Sequence, residues 1–233
     1  MTIDTNFLFQ TIRTSLGYLP VTINIAGISF LLSFMIGLLF TWFRIFHVPF
    51  LNQFATIYIT IFKGVPVVLV LLFSQTVIVN YLDQLIGEGH SFLNIFDNKP
   101  EHVAIFALTI VSITGTAEAL KAGIDGISKG QWDAAQSIGF SQWQAFSRII
   151  LPQALLGAMP ILGNQLIGLV KASSLVSMVG VIEIYNAAII KAGQGYNYLE
   201  AYLAIAVIYW FLSVLIEQGI RLAMQISKVE VLI

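Results

Sequence analysis

The chain has 233 residues, a net charge of −1, and 58% hydrophobic against only 10% charged residues, with a mean hydropathy of +0.87. A soluble domain carries roughly 25% charged residues, so this chain lacks the polar groups to cover a water-facing surface and reads as an all-α polytopic membrane protein. The near-zero charge offers no basic patch for nucleic acid, the absence of cysteine excludes disulfides and thiol chemistry, and His47, His90 and His102 have no metal-ligand spacing.

Taken in order, residues 1–15 are too polar for the apolar part of a signal peptide and are expected to form a ragged extracytoplasmic lead. A spanning helix needs about 20 apolar residues. Five segments qualify: Leu19 to Phe43, Phe54 to Tyr81, His102 to Leu120, Pro152 to Val170 and Leu199 to Leu222. The second is interrupted by Lys63-Gly64-Val65-Pro66, and the fourth contains Pro160. The third follows Asp97-Asn98-Lys99-Pro100, with Pro placed for a first helical turn. The run from Leu175 to Ile190 is shorter and broken by Gly180 and Glu183, which suits an interfacial or re-entrant piece. No internal repeat or flexible linker divides the chain. One membrane domain is expected over residues 16–222, followed by a cytoplasmic tail at 223–233.

Lys and Arg favour cytoplasmic loops. With the N-terminus outside, six fall inside (Arg44, Lys121, Lys129, Arg148, Arg221, Lys228) and three outside (Arg13, Lys99, Lys191). That orientation puts the C-terminus and the polar interval Ser128 to Pro152 in the cytoplasm. The outer interval Leu82 to Glu101, with Asp83, Glu88, Asp97 and Glu101, reads as a solvated connection or a docking surface for an external partner.

The interval Ser128 to Pro152 holds two helix-start signals, Ser128 with Gln131 and Ser141 with Gln144, each fitting a capping box. Gly139 stands between them where a helix C-terminus favours positive φ. Two short helices around a sharp turn are expected. Trp132, Ala135 and Ile138 recur on one face of the first, and Ala134 with Ala135 keeps it slim. Such a knob either folds back on its own bundle or enters a partner's groove.

Charges inside the spans are functional candidates by default. Lys63 adjoins Gly64 and Pro66, and either lines a cavity, where a broken backbone is tolerated, or snorkels to an interface or pairs with a helix C-terminus. Glu118 lies near the inner end of the third span, either paired with Lys121 or facing a pathway. Lys171 is placed to snorkel at the outer end of the fourth. Asn164 and Gln165 are polar groups able to bond across helices or line the pathway.

Asp133-Ala134-Ala135, three residues, Gly139, nine residues, then Ile149-Ile150-Leu151-Pro152 resembles the EAA loop of ABC importer permeases, with Asp in place of the usual Glu. Phe62 to Pro66 is similar to the Phe-Arg-Gly-Thr-Pro of the polar amino acid permease group. Ala117-Glu118, Lys121 to Ile124, Lys129 to Gln131, Leu151 to Ala154, Gly163-Asn164-Gln165 and Ser173 to Ser177 also follow that group's pattern. Ala172 departs from it, since Asp usually follows the Lys at that point. The likeness runs from Leu16 to Leu222. It implies a type I ABC importer permease fold, a second permease subunit (identical or homologous), a cytoplasmic ATPase and an extracytoplasmic binding protein. Gln131, Trp132, Asp133, Ala134, Ala135 and Gly139 would form the coupling helix that enters the ATPase. ATP and Mg would be used by that partner, since this chain has no phosphate-binding loop and is expected to bind no cofactor or metal. A stand-alone secondary carrier or channel is the alternative, though a carrier is often built from internal repeats. An intramembrane enzyme would need a nucleophile and base or metal ligands on facing helices, and none stands out.

Overall fold

A computed structural model describes residues 3–78 and 99–231, all helix and connection. The helices are α1 (Thr5–Leu16), α2 (Leu19–Ile45), α3 (Leu51–Gly64), α4 (Val67–Val77), α5 (Pro100–Asp125), α6 (Lys129–Ser137), α7 (Gln142–Ala145), α8 (Leu151–Ala172), α9 (Ile184–Gly193) and α10 (Tyr198–Val231). Four continuous helical stretches are long and apolar enough to cross a membrane, and the bent pair α3–α4 brings the number to five. The outer interval expected at residues 82–98, with the end of the second span, lies outside the described residues.

The helix α5 is the centre of the bundle. Its apolar window is 67% buried inside the protein, against 33% for each of the other three continuous spans. It packs on α2 and α8 above all others. Ser29 donates to the carbonyl of Ile105 (3.2 Å), and Thr41 to that of Ala117 (3.1 Å). Residue numbers rise together along this seam, so α2 and α5 run parallel. Thr116 returns a bond to the Ser33 carbonyl at 2.8 Å. Gly37 permits this approach, because a Cβ there would lie 2.5 Å from Thr116 Oγ1 and 3.0 Å from the Ala117 nitrogen. On the neighbouring face Gly123 meets the Ala154 backbone and Gly115 meets Gln165, so α8 runs antiparallel to α5. Small residues and hydroxyl-to-carbonyl bonds are what hold helices together where lipid cancels the hydrophobic term.

Three expectations change. The N-terminal lead is no ragged segment but the helix α1, capped by Asp4, whose carboxylate accepts from the Phe7 amide at 3.0 Å. Thr11 and Ser15 are its fully buried positions, flanked by the half-buried Phe7, Leu8 and Ile12, and α1 packs on α9 and α10. The helical spacing of Phe7, Leu8 and Ile12 is a signal the sequence carries. The second span is a sharp elbow, with α3 and α4 meeting at 108°. Val65 is extended (ψ 125°) because the residue before proline is driven out of the helical region, and Pro66 has no amide to continue the ladder. The fourth span begins before Pro152. A π turn, Phe146–Ile150, joins α7 to α8, and the helical path runs over 38 residues from Gln142 to Val179. Pro152 sits in the first turn of α8, where a missing amide costs little.

The remaining elements fit. Ser173–Val179 is a 3-10 turn ended by Gly180 at φ +89°, and α9 is too short to cross a membrane. Glu183 starts α9 by accepting from the Asn186 amide at 3.0 Å. It is fully buried and also accepts from Tyr209 (2.7 Å) and Thr22 (3.4 Å), pinning α9 to α2 and α10.

Gly37→Val is expected to cost about 1–3 kcal/mol by overpacking, seen as a lower thermal midpoint in detergent. Gly27→Ala on the same helix, where a Cβ meets nothing within 4 Å, leaves the midpoint near its starting value.

Candidate functional site

The end of the bundle where α2 and α5 finish carries α6, α7 and the π turn. A Schellman motif closes α6: the Gly139 amide bonds the Gln136 carbonyl (2.9 Å) and the Phe140 amide bonds the Ala135 carbonyl (3.1 Å). Gly139 lies at φ +86°, as its position in the sequence demanded. The capping box at Ser141 and Gln144 forms in both directions, at 3.2 and 2.9 Å. The one expected at Ser128 does not, since the Ser128 side chain makes no cap bond. The Gln131 side chain instead reaches Gln153 of α8 at 3.4 Å.

The two faces of α6 differ. Ala135 is 1% exposed, and Trp132 packs partly buried on the cluster of Ile124, Phe146, Ile150 and Ala154. Gln131, Asp133 and Ala134 are exposed, and Ile138, just past the helix end, is 69% exposed. The expected common face of Trp132, Ala135 and Ile138 is therefore split. The first two hold the helix to its own bundle and Ile138 faces outward, because the helix ends at Ser137 before the third position of the repeat. Beside it Arg148 stacks over the Phe140 ring at 5.9 Å, and Trp143 is 57% exposed.

A second constellation lies nearer the middle of the bundle. On α5 burial lapses at Val111, Gly115, Glu118 and Ala122, a stripe of helical period. Glu118 pairs with Arg44 at 2.8 Å, not with Lys121, which bonds Asp125 one turn on. Position i+4 served Lys121 better than i−3, and α2 delivers Arg44 from across the seam. Arg44, Glu118, Lys63, Gly64 and Thr60 line one pocket of about 380 Å³. Lys63 enters from the last turn of α3, at the elbow. Of the sequence-derived pathway candidates, the structure brings Lys63, Gly64 and Glu118 together. Gln165 lies against Gly115, one turn from Glu118. Asn164 is exposed on α8, and Pro66 sets the elbow, neither of them lining that pocket. Lys171 is exposed at the far end of α8.

Sequence reasoning missed two residues. Arg44 was counted only as a loop charge, though its place at the end of α2, level with Glu118 on the parallel α5, offered the pairing. Glu183 reads in sequence only as a break, because Glu is not among the preferred N-cap residues, and its capping bond to Asn186 emerges only in the structure.

The family model described as "Binding-protein-dependent transport system inner membrane component" matches residues 29–222. The chain is 36% identical over 220 residues to the L-cystine transport system permease protein TcyL of Bacillus subtilis (strain 168), covering 94% of this chain and 90% of that protein. It is 31% identical over 218 residues to the probable amino-acid ABC transporter permease protein PatM of Vibrio harveyi, covering 94% and 93%. A solved chain described as an amino acid ABC transporter with histidines superposes with a TM-score of 0.80 at 26% identity, covering 97% of this chain and 99% of that one. The MetNI methionine ABC transporter, at 19% identity and a TM-score of 0.71, shares the fold.

Gly139→Ala is expected to cost about 1–2 kcal/mol, because a side chain resists the left-handed region. Faster limited proteolysis between α6 and α7, with the spans intact, is the readout.

Proposed function

This chain belongs to the binding-protein-dependent transport system inner membrane components, and on that footing we propose that it is the membrane-spanning subunit of an ATP-driven importer of a polar amino acid or a closely related solute. The observation that carries the reading is α6, a short helix anchored to its bundle by Trp132 and Ala135. It leaves Gln131, Asp133, Ala134 and Ile138 exposed among the described residues, with Gln131 also bonded to Gln153. A helix of nine residues is marginal alone in water, and this one is buttressed on one side only. A stand-alone carrier or channel leaves that exposed face without a role.

In this reading α6 is the coupling helix and its exposed face enters a groove of a separate ATPase chain. ATP and Mg are handled there, not by this chain. A second permease subunit completes the membrane pathway, and an extracytoplasmic binding protein delivers the solute. Lys63, Gly64 and Glu118 line the pathway, with Gln165 near it and Pro66 shaping it. The N-terminus lies outside and the α6 end faces the cytoplasm, on the positive-inside balance of the loops. The name of the relative TcyL makes L-cystine the first solute to test.

The two alanines of α6 separate docking from folding. Ala134→Glu puts a charge on the exposed face, and is expected to abolish ATP-driven uptake in proteoliposomes while the protein inserts and keeps its thermal midpoint. Ala135→Glu puts the same charge into the chain's own cluster, and is expected to lower that midpoint by the cost of burying an unpaired carboxylate, several kcal/mol in general. Normal uptake by Ala134→Glu counts against docking through this face.

Orientation is checked with the same cysteine-free chain. Tyr196 is 85% exposed in the turn between α9 and α10. Tyr196→Cys is expected to react with a membrane-impermeant maleimide added to intact cells, and labelling only in inverted vesicles would reverse the topology.

A further inference from the structure

The pocket at the α3–α4 elbow holds two cations, Arg44 and Lys63, against one carboxylate, Glu118, a net charge of 2 − 1 = +1. The three are not equivalent. Arg44 is committed, its Nη1 donating to Glu118 Oε1 at 2.8 Å, with side-chain exposures of 18% and 41%. That bond uses one oxygen of Glu118 and leaves Oε2 without a bond to Arg44. Lys63 forms no salt bridge among the described residues, and its ammonium is the charge the pocket does not balance. Thr60 and Thr56 give their hydroxyl protons to carbonyls one turn back along α3, at 2.8 Å each, so their oxygens remain as acceptors. The volume, about 380 Å³, falls within the ordinary range of small-molecule sites.

Lys63 is exposed in this chain, so its uncompensated ammonium is open to a diffusible anion. A carboxylate supplies the charge. A free ammonium on the same solute finds acceptors in Glu118 Oε2 and the threonine oxygens. We propose that this pocket is a station for the α-amino acid moiety itself, with the solute's carboxylate at Lys63 and its ammonium at Glu118. Arg44 acts as a positioning residue that aims Glu118. The inference rests on the import reading and adds to it which end of the solute each charge takes. Because the contacts fall on groups common to all α-amino acids, choice among side chains is made elsewhere. One salt-bridge-free lysine gives weak, releasable binding, which suits a station on a path where tight binding would trap the cargo.

The chain has no cysteine, so Gly64→Cys, at a lining position where a Cβ meets nothing within 4 Å, places a unique thiol on the pocket wall. The probe is L-serine, and its decarboxylated counterpart ethanolamine is the comparison. Both are tested on the complete detergent-solubilised transporter by following maleimide labelling of Cys at position 64. L-serine at about ten times its dissociation constant is expected to slow labelling about tenfold. Ethanolamine at the same concentration is expected to have no effect. Adding Lys63→Gln is expected to remove the protection by L-serine, and Lys63→Arg to keep it. Equal protection by ethanolamine, protection that survives Lys63→Gln, or no protection by L-serine at all overturns the proposal. Failure of the import reading looks different: the wild-type transporter in proteoliposomes would then show no ATP-driven uptake of any amino acid, whatever the labelling result.

Discussion

The close contact of α2 and α8 with α5 is the constraint on which the rest of the bundle depends. In lipid the helices gain little from hiding apolar side chains, since the solvent is itself apolar. What is left is shape and the few polar groups that can be satisfied only across a seam. Gly37 and Gly123 remove the side chains that would keep the backbones apart. The hydroxyls of Ser29, Thr41 and Thr116 then reach carbonyls on the neighbouring helix. With α5 fixed against both helices, Glu118 and Ala122 lie on the part of it that is less covered, and the end of α5 delivers the chain directly into α6.

The elbow at Val65 and Pro66 is the complementary feature, a place where the bundle is not a straight rod. The bend ends α3 at Gly64 and sends α4 off at 108°. It opens the side of the bundle opposite Glu118 and carries Lys63 to its edge. The buried Glu183, bonded by Tyr209 and Thr22, plays a fixing role at the other end by holding α9 to two spans.

Much of this was legible in the residues. Runs of apolar residues located the four continuous spans and the bent pair α3–α4, because a helix that crosses the hydrocarbon core needs about twenty apolar positions in succession and a soluble helix does not. Gly139 and the Ser141–Gln144 pair marked the α6–α7 turn because those residue types act through local backbone geometry. The resemblance to the EAA loop gave α6 its expected partner. What escaped was everything decided by packing rather than by local preference. The helix α1 is masked by its two fully buried residues being Thr11 and Ser15, although Phe7, Leu8 and Ile12 beside them keep helical spacing. The helical period could not say which face of α6 was inside, and it grouped Ile138 with Ala135 although they part company at the helix end. Glu118 had a candidate partner on its own helix, and only the parallel packing of α2 brings Arg44 to it. Ser128 satisfied the capping pattern in sequence but not in bonds, since Gln131 reached Gln153 instead.

The central claim is that α6 has two sides with different partners, its own bundle at Ala135 and a separate ATPase at Ala134. Because the chain contains no cysteine, single-cysteine cross-linking in the assembled transporter tests that claim residue by residue. A short bifunctional reagent should join Ala134→Cys to the ATPase chain in high yield and leave Ala135→Cys unjoined. Equal yields from both positions, or none from Ala134→Cys in a transporter that still hydrolyses ATP and takes up solute, would contradict it.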